Sequence, residues 1–312
     1  MAVREAGRPV AALCTDLRGF ATRYPLFDAA RFPALALTIR TYLPEAQREG
    51  HALLALVSLW IIAFDALVDE GTVDATEHAA LVTRYGILLD GDGARGIPDN
   101  QAQHAEAADQ LDAALREIGV RLAAHEPPTA LCDWWRSSLR ATMAAIVRQR
   151  ELGRAGGDAP GYDAILPLLV DSVGVRPYLA VGAIIGREPG LAARRPALVA
   201  LASECAVAIR LANDLRTWEK DEREGGINTL VALQSDLARA RPGVAAATIH
   251  GLALSTLGER LIASRARCQA SLDSFAEADE TATGMVRLVE VVVGVYAADD
   301  FHTYPAPAGE WA

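Results

Sequence analysis

Asn213-Asp214-Leu215-Arg216-Thr217-Trp218-Glu219-Lys220-Asp221-Glu222 is the stretch on which the reading of this chain turns. Asn213, Thr217 and Asp221 recur every fourth residue, and on an α-helix four residues advance a side chain by roughly 400°, so the three form one slowly drifting stripe. The stripe consists of an amide oxygen, a hydroxyl and a carboxylate. This ligand set suits Mg²⁺, which takes oxygen donors in an octahedral shell and commonly shares that shell with water and substrate phosphate.

A second acidic feature lies upstream in Trp60-Ile61-Ile62-Ala63-Phe64-Asp65-Ala66-Leu67-Val68-Asp69-Glu70. Here an apolar helical run ends in Asp65 and Asp69 at i, i+4, on one face, with Glu70 beside them. Carboxylates that close a greasy helix are costly when buried without partners. The residues one or two turns earlier on the Asp65 face are Ser58, Ile61 and Ile62, so the stripe continues into mostly apolar surface. Acidic pairs at this spacing also occur on solvated helix faces. Together, the two stripes predict a cavity with a metal-binding mouth.

At these residues the chain resembles the bacterial class I terpene synthases. That family carries an aspartate-rich motif on one helix and an (N/D)Dxx(S/T)xxx(E/D) motif on a facing one, and the second is matched by Asn213, Asp214, Thr217 and Asp221. The segment Gly225-Gly226-Ile227-Asn228-Thr229-Leu230-Val231 also resembles the family's segment after the metal helix. The aspartate-rich motif departs from DDxxD, reading DxxxDE because Ala66 follows Asp65. The family's diphosphate-sensing arginine stands about a turn before a helix break. The break is placed here at Gly174, the arginine's position holds Val170, and Arg176 is taken as the substitute. Of the C-terminal Arg-Tyr pair, Thr303-Tyr304 retains only the tyrosine.

The resemblance implies an all-α, single-domain bundle around a central cavity over residues 1–312, with residues 1–25 and 303–312 as flexible ends. It implies a metal set of Asp65, Asp69, Glu70, Asn213, Thr217 and Asp221 holding three Mg²⁺ ions with bound diphosphate. Arg176, Lys220 and Tyr304 are its diphosphate contacts, with Asp65, Asp69, Arg176 and Lys220 as the catalytic set and Ile61, Ile62, Phe64, Gly174 and Ile209 as the pocket. Lys220 is the chain's single lysine, and a flexible ammonium suits phosphate as a point charge; a surface lysine is the alternative. For Arg176 the alternative is a cation at a helix end. Arg148, Arg150 and Arg210 stand behind these.

The expected activity is Mg²⁺-dependent ionisation of a C20 prenyl diphosphate, either geranylgeranyl diphosphate or a bicyclic copalyl-type diphosphate supplied by a class II cyclase, and cyclisation to a diterpene. The C20 choice rests on Ala202, Cys205, Ala206 and Ile209, small or slim residues taken to face the cavity, and on resemblance of the variant motifs to bacterial diterpene synthases. A sesquiterpene synthase using farnesyl diphosphate is the nearest alternative. A chain-elongating prenyltransferase lacks its two DDxxD motifs here, and a non-catalytic helical binding protein accounts for the apolar helices alone.

Composition is consistent with this. The chain has 312 residues, 51% hydrophobic and only 6% aromatic, with a formal net charge of −10, enough for a large helical core. The negative charge argues against nucleic acid, which is bound by a basic face that displaces counterions. Cys14, Cys132, Cys205 and Cys268 have no CxxC spacing, so neither a zinc site nor a disulfide framework is indicated and a reducing cytoplasm is expected. The greasiest run, residues 52–68, is broken by Asp65 and reads as a buried helix, not a membrane span. A homodimer is left open as an assembly.

Helical periodicity runs almost throughout, with no strand-like alternation. The expected helices cover residues 10–22, 29–42, 45–69, 75–89, 101–124, 130–152, 162–185 with a break near Gly174 or Pro177, 196–222, 248–277 and 281–301. The Gly- and Pro-rich stretches 90–99 and 153–161 read as surface loops. The glycines of the second follow no strand, so a dinucleotide or phosphate loop is not indicated, and Asp90 to Gly93 lacks a calcium loop's ligand run.

Overall fold

The computed structural model describes residues 2–69, 75–91, 105–155, 160–275 and 279–298. Among them the chain is helical with turns and no strands. In order, the helices are α1 (Ala2–Arg23), α2 (Phe32–Tyr42), α3 (Arg48–Asp69), α4 (Ala75–Asp90), α5 (Ala105–Ala123), α6 (Thr129–Ala155), α7 (Tyr162–Ser172), α8 (Val175–Gly186), α9 (Leu191–Glu224), α10 (Thr229–Ala240), α11 (Ala246–Leu272) and α12 (Glu280–Ala298).

α3 occupies the centre because it is apolar nearly all round, which is the pattern of a helix enclosed by others. Its Leu53, Leu54, Ala55, Leu56, Trp60 and Phe64 are fully buried, with α1, α2, α5, α6 and α8 packed around it. By length and composition α3 and α12 could each cross a membrane, but the most apolar window of α3 is 78% buried inside the bundle. Trp60 and Phe64 stack at 5.5 Å and Tyr85 of α4 meets both edge-on, while Trp60 Nε1 donates to Leu111 O of α5 at 2.9 Å.

Helix ends shift by a few residues, as where α6 runs on to Ala155 and α9 begins at Leu191, and three elements differ more from the sequence expectation. The 29–42 segment divides, with Ala29–Arg31 forming a 3-10 turn capped by Asp28; α2 then opens with proline in its first turn, where a missing N–H costs least. α1 extends back to Ala2, and in place of a flexible end, Leu13, Leu17 and Phe20 are buried. Asp16 takes two bonds from Arg48 of α3, at 2.8 and 2.5 Å. α10 is an additional helix. Its N-cap Asn228 accepts from Leu230 N at 2.8 Å, and its buried Leu230 and Leu233 with half-buried Leu237 form an i, i+3, i+7 stripe, the signal in the sequence that marks it.

The break between α7 and α8 falls at Gly174, as expected, and not at Pro177. Gly174 has φ +72°, a left-handed conformation open to glycine without strain. A Cβ there would also lie 2.7 Å from Ile61 Cγ2. The break therefore brings backbone against the middle of α3.

Candidate active site

One cavity of about 310 Å³ is enclosed by α2, α3, α6, α7, α8, α9 and α12. Three helices line it with stripes at i, i+4 spacing: Ser58, Ile61 and Ile62, Asp65, Asp69 on α3; Ile209, Asn213, Thr217, Asp221 on α9; Leu288, Val292, Tyr296 on α12. On α3 and α9 the stripe turns from apolar to oxygen-bearing toward the helix C-terminus, and the charged ends face one another. Lys220 of α9 acts electrostatically on both Asp65 and Asp69. The result is a pocket with an apolar floor and an acidic mouth.

The carboxylates of α3 are open to the cavity, yet the recess around Asp65 strips away enough water to push its carboxyl up to about 7. The neighbouring charge of Asp69 adds to this, while Arg210, Arg31 and Lys220 oppose it. Desolvation likewise raises Asp69, against the pull of Arg150. Arg150 Nη2 donates to Asp69 O at 2.8 Å and its Nη1 lies 3.6 Å from Asp69 Oδ1, so α6 supplies a cation that also closes the last turn of α3.

On α9 each ligand candidate is held by a neighbour. Asn213 Nδ2 donates to Tyr296 Oη at 3.1 Å. Thr217 Oγ1 donates to Asp221 Oδ2 at 2.8 Å, and Asn228 Nδ2 donates to the same oxygen at 2.8 Å and to Asp214 O at 3.0 Å. Asp214 belongs to the motif but is fully buried. Its Oδ2 accepts from Thr229 N at 3.0 Å, capping α10, and Oδ1 lies 2.6 Å from Arg210 Nη2. Burial raises its pKa despite that arginine. Asp214 therefore ties α9 to α10 and does not reach the cavity. α9 ends at Gly225, φ +71°, whose N–H returns to the last turn; Gly153 of α6 packs against Gly225 so closely that a Cβ would sit 2.7 Å from its carbonyl oxygen.

Every ligating candidate here is a hard oxygen donor, and the described lining holds no histidine or cysteine. That donor set fits Mg²⁺ and not a softer metal. Among the described residues no three His, Cys, Asp or Glu side chains are gathered closely enough to hold an ion by themselves. The two stripes line the same cavity, so ions there would need ligands from both helices.

The structure brings Asp65, Asp69, Asn213, Thr217, Lys220, Asp221, Ile61, Ile62, Gly174 and Ile209 to this one cavity. It moves two others away. Arg176 pairs with Asp171 and is not part of the lining, whereas Arg150 and Arg210 are. Phe64 is fully buried in the Trp60–Tyr85 cluster, because its helical position turns it away from the Asp65 face. Glu70 and Tyr304 lie outside the described residues. Ala202, Cys205 and Ala206 also miss the cavity lining; all three are buried in the core, where Cys205 Sγ donates to Met285 O of α12 at 3.7 Å. Tyr178 and Tyr296 both line it. Tyr296 belongs to no motif and sits in a run of valines, so its one sequence signal is the helical face that it shares with Leu288 and Val292.

The fold and the site together are those of an all-α bundle around an apolar cavity with hard oxygen donors at its mouth. Residues 57–248 match the model of terpene synthase family 2, C-terminal metal binding, more than half of the chain, which therefore belongs to the terpene synthase family and is a lyase acting on prenyl diphosphates. Similar solved structures share the fold. A linalool/nerolidol synthase from Streptomyces clavuligerus superposes with TM-score 0.69 at 17% identity over 92% of this chain and 94% of its own. A cucumene synthase variant gives 0.69 at 17% over 93% and 96%. Germacradien-4-ol synthase from Streptomyces citricolor gives 0.67 at 13% over 95% of each. No curated protein sequence matches the chain.

Proposed function

We propose that this protein is an Mg²⁺-dependent synthase that ionises farnesyl diphosphate and cyclises the resulting carbocation, with residues 1–312 acting as one catalytic unit. The observation that carries this reading is the polarity of the cavity: α3 and α9 run from apolar floor to oxygen-bearing mouth with the same sense. A substrate with a hydrocarbon tail and a diphosphate head has the same polarity.

Asp65 and Asp69 on one side and Asn213, Thr217 and Asp221 on the other are the residues that would hold Mg²⁺. When bound, the metal supplies positive charge that stabilises a departing diphosphate. Lys220, Arg150 and Arg210 add fixed cations around the same head group. The allylic C–O bond breaks with its electron pair passing to the diphosphate oxygen, and no protein nucleophile is required. Ile61, Ile62, Val175, Ile209, Leu288 and Val292 then exclude water and offer the cation nothing to add to. The Tyr178 and Tyr296 rings are π faces available to a cationic centre.

The C15 chain length is supported by size. The cavity of about 310 Å³ lies at the low end of the roughly 300–1,000 Å³ of small-molecule sites, and of the four side chains that favoured a C20 substrate Ile209 alone is part of the lining. Purified protein with Mg²⁺ is to be incubated separately with farnesyl, geranylgeranyl and copalyl-type diphosphates and the hexane extracts analysed by gas chromatography with mass detection. A cyclic C15 product abolished by EDTA is expected. Turnover of a C20 diphosphate alone would restore the diterpene assignment.

A further inference from the structure

We infer that Tyr296 is a positioning residue that holds the Asn213 NH₂ on α12 and so leaves the amide oxygen for the metal site. This rests on the reading of Asn213 as a metal ligand. An asparagine presents an oxygen or an NH₂ depending on a half-turn of its last torsion, and only the oxygen can ligate a cation. A carboxylate at the same place carries no such ambiguity, since both of its ends are oxygen.

The geometry supplies what the amide lacks. Tyr296 is 8% exposed, lies on the cavity wall, and its Oη accepts from Asn213 Nδ2 at 3.1 Å. With the NH₂ held on α12, Oδ1 is the end left for the mouth. The tyrosine stands at the top of the stripe Leu288, Val292, Tyr296, so α12 is apolar where it meets the pocket floor and carries one hydroxyl where it meets the α9 ligand stripe. The other two α9 ligands are supported differently. Thr217 donates to Asp221, and Asp221 is held by Asn228 from the α9–α10 connection. Of the three, Asn213 is the ligand whose support comes from α12, and the one whose donor identity depends on rotation.

The test is a cycle of substitutions read by metal binding. Mn²⁺ serves as the probe, titrated into the protein and followed by electron paramagnetic resonance of the free ion, then repeated as Mg²⁺-dependent thermal stabilisation with inorganic diphosphate present. Tyr296→Phe is expected to weaken Mn²⁺ binding by about tenfold, the usual scale for losing a residue that orients a ligand, with the circular dichroism spectrum unchanged. In an Asn213→Asp background the same Tyr296→Phe change is expected to cost less than about twofold, because the carboxylate needs no orienting; neighbouring sites couple in this way and a merely structural role does not. Equal losses in both backgrounds, or no loss in either, overturn the inference while leaving the metal site intact. Failure of the unsubstituted protein to bind Mn²⁺ or respond to Mg²⁺ with diphosphate overturns the reading of the site itself, and the inference with it.

Discussion

His51 shows how two neighbours decide a protonation state. Its Nδ1 lies 3.2 Å from Arg40 Nη1, and its Nε2 lies 2.6 Å from Leu43 O. A guanidinium can only donate and a carbonyl only accept, so the ring is neutral with its proton on Nε2. Burial, with the Arg40 charge, holds its pKa below the ordinary 6.5 despite the Leu43 bond. Below that value the unfolded chain binds a proton the folded one resists, so this contribution is present above about pH 6.5 and is lost as pH falls toward the folded value. Urea midpoints from pH 7.5 down to 5 are expected to fall more steeply in the parent protein than in His51→Gln, whose amide keeps both contacts and does not titrate. At the mouth, Asp65→Asn removes one metal-facing charge; turnover is expected to drop at least about 100-fold with the far-ultraviolet spectrum intact, and equal turnover would remove Asp65 from the site. The residues of the α9 stripe were legible in sequence because a four-residue spacing fixes a shared helix face whatever surrounds it. Arg176 and Phe64 were misplaced for the complementary reason. Spacing gives a direction around the helix axis but not the neighbour that claims the side chain, here Asp171 for one and the Trp60–Tyr85 cluster for the other.

At the scale of elements, the connections carry more of the site than their composition announced. Asn228 caps α10 with its oxygen and spends its NH₂ on Asp214 O and Asp221 Oδ2, so one buried amide joins helix start to ligand stripe. Asn228→Ala is expected to cost about 2 kcal/mol in chemical denaturation and to raise the Mg²⁺ concentration needed for half-maximal turnover. A loss of stability with no change in metal dependence would separate the cap from the site. Tyr42 of α2 is wedged between α8 and α12: a Cβ at Gly182 would overlap its ring, and one at Gly284 would overlap its carbonyl oxygen. Gly182→Ala is therefore expected to destabilise by roughly 1–3 kcal/mol in urea unfolding, and because Tyr42 packs at 5.4 Å against the cavity residue Tyr178, to change the product mixture as well. These close approaches could not be read from the sequence, since a glycine inside a helical run gives no sign of what it lies against. The break at Gly174 could, because the glycine coincided with a family motif.

The whole molecule is a set of helices whose apolar faces do two jobs. Most of them close a core that joins α1 to α12, and the stripes on α3, α9 and α12 leave a gap that becomes the pocket. Fold class was legible because helical periodicity repeats over hundreds of residues and errors at single ends do not accumulate. Pocket size was not legible, because it depends on which of two faces of α9 is turned inward; Ile209 lines the cavity, while Ala202, Cys205 and Ala206 are buried outside it. On the proposed function, the acidic mouth performs metal-dependent ionisation of a prenyl diphosphate. The most direct test is to measure inorganic diphosphate released from farnesyl diphosphate with Mg²⁺, with EDTA, and by Asn213→Ala. Release is expected with Mg²⁺, none above background with EDTA, and a loss of at least about 100-fold in the variant. Release that persists in EDTA, or that Asn213→Ala leaves unchanged, would contradict it.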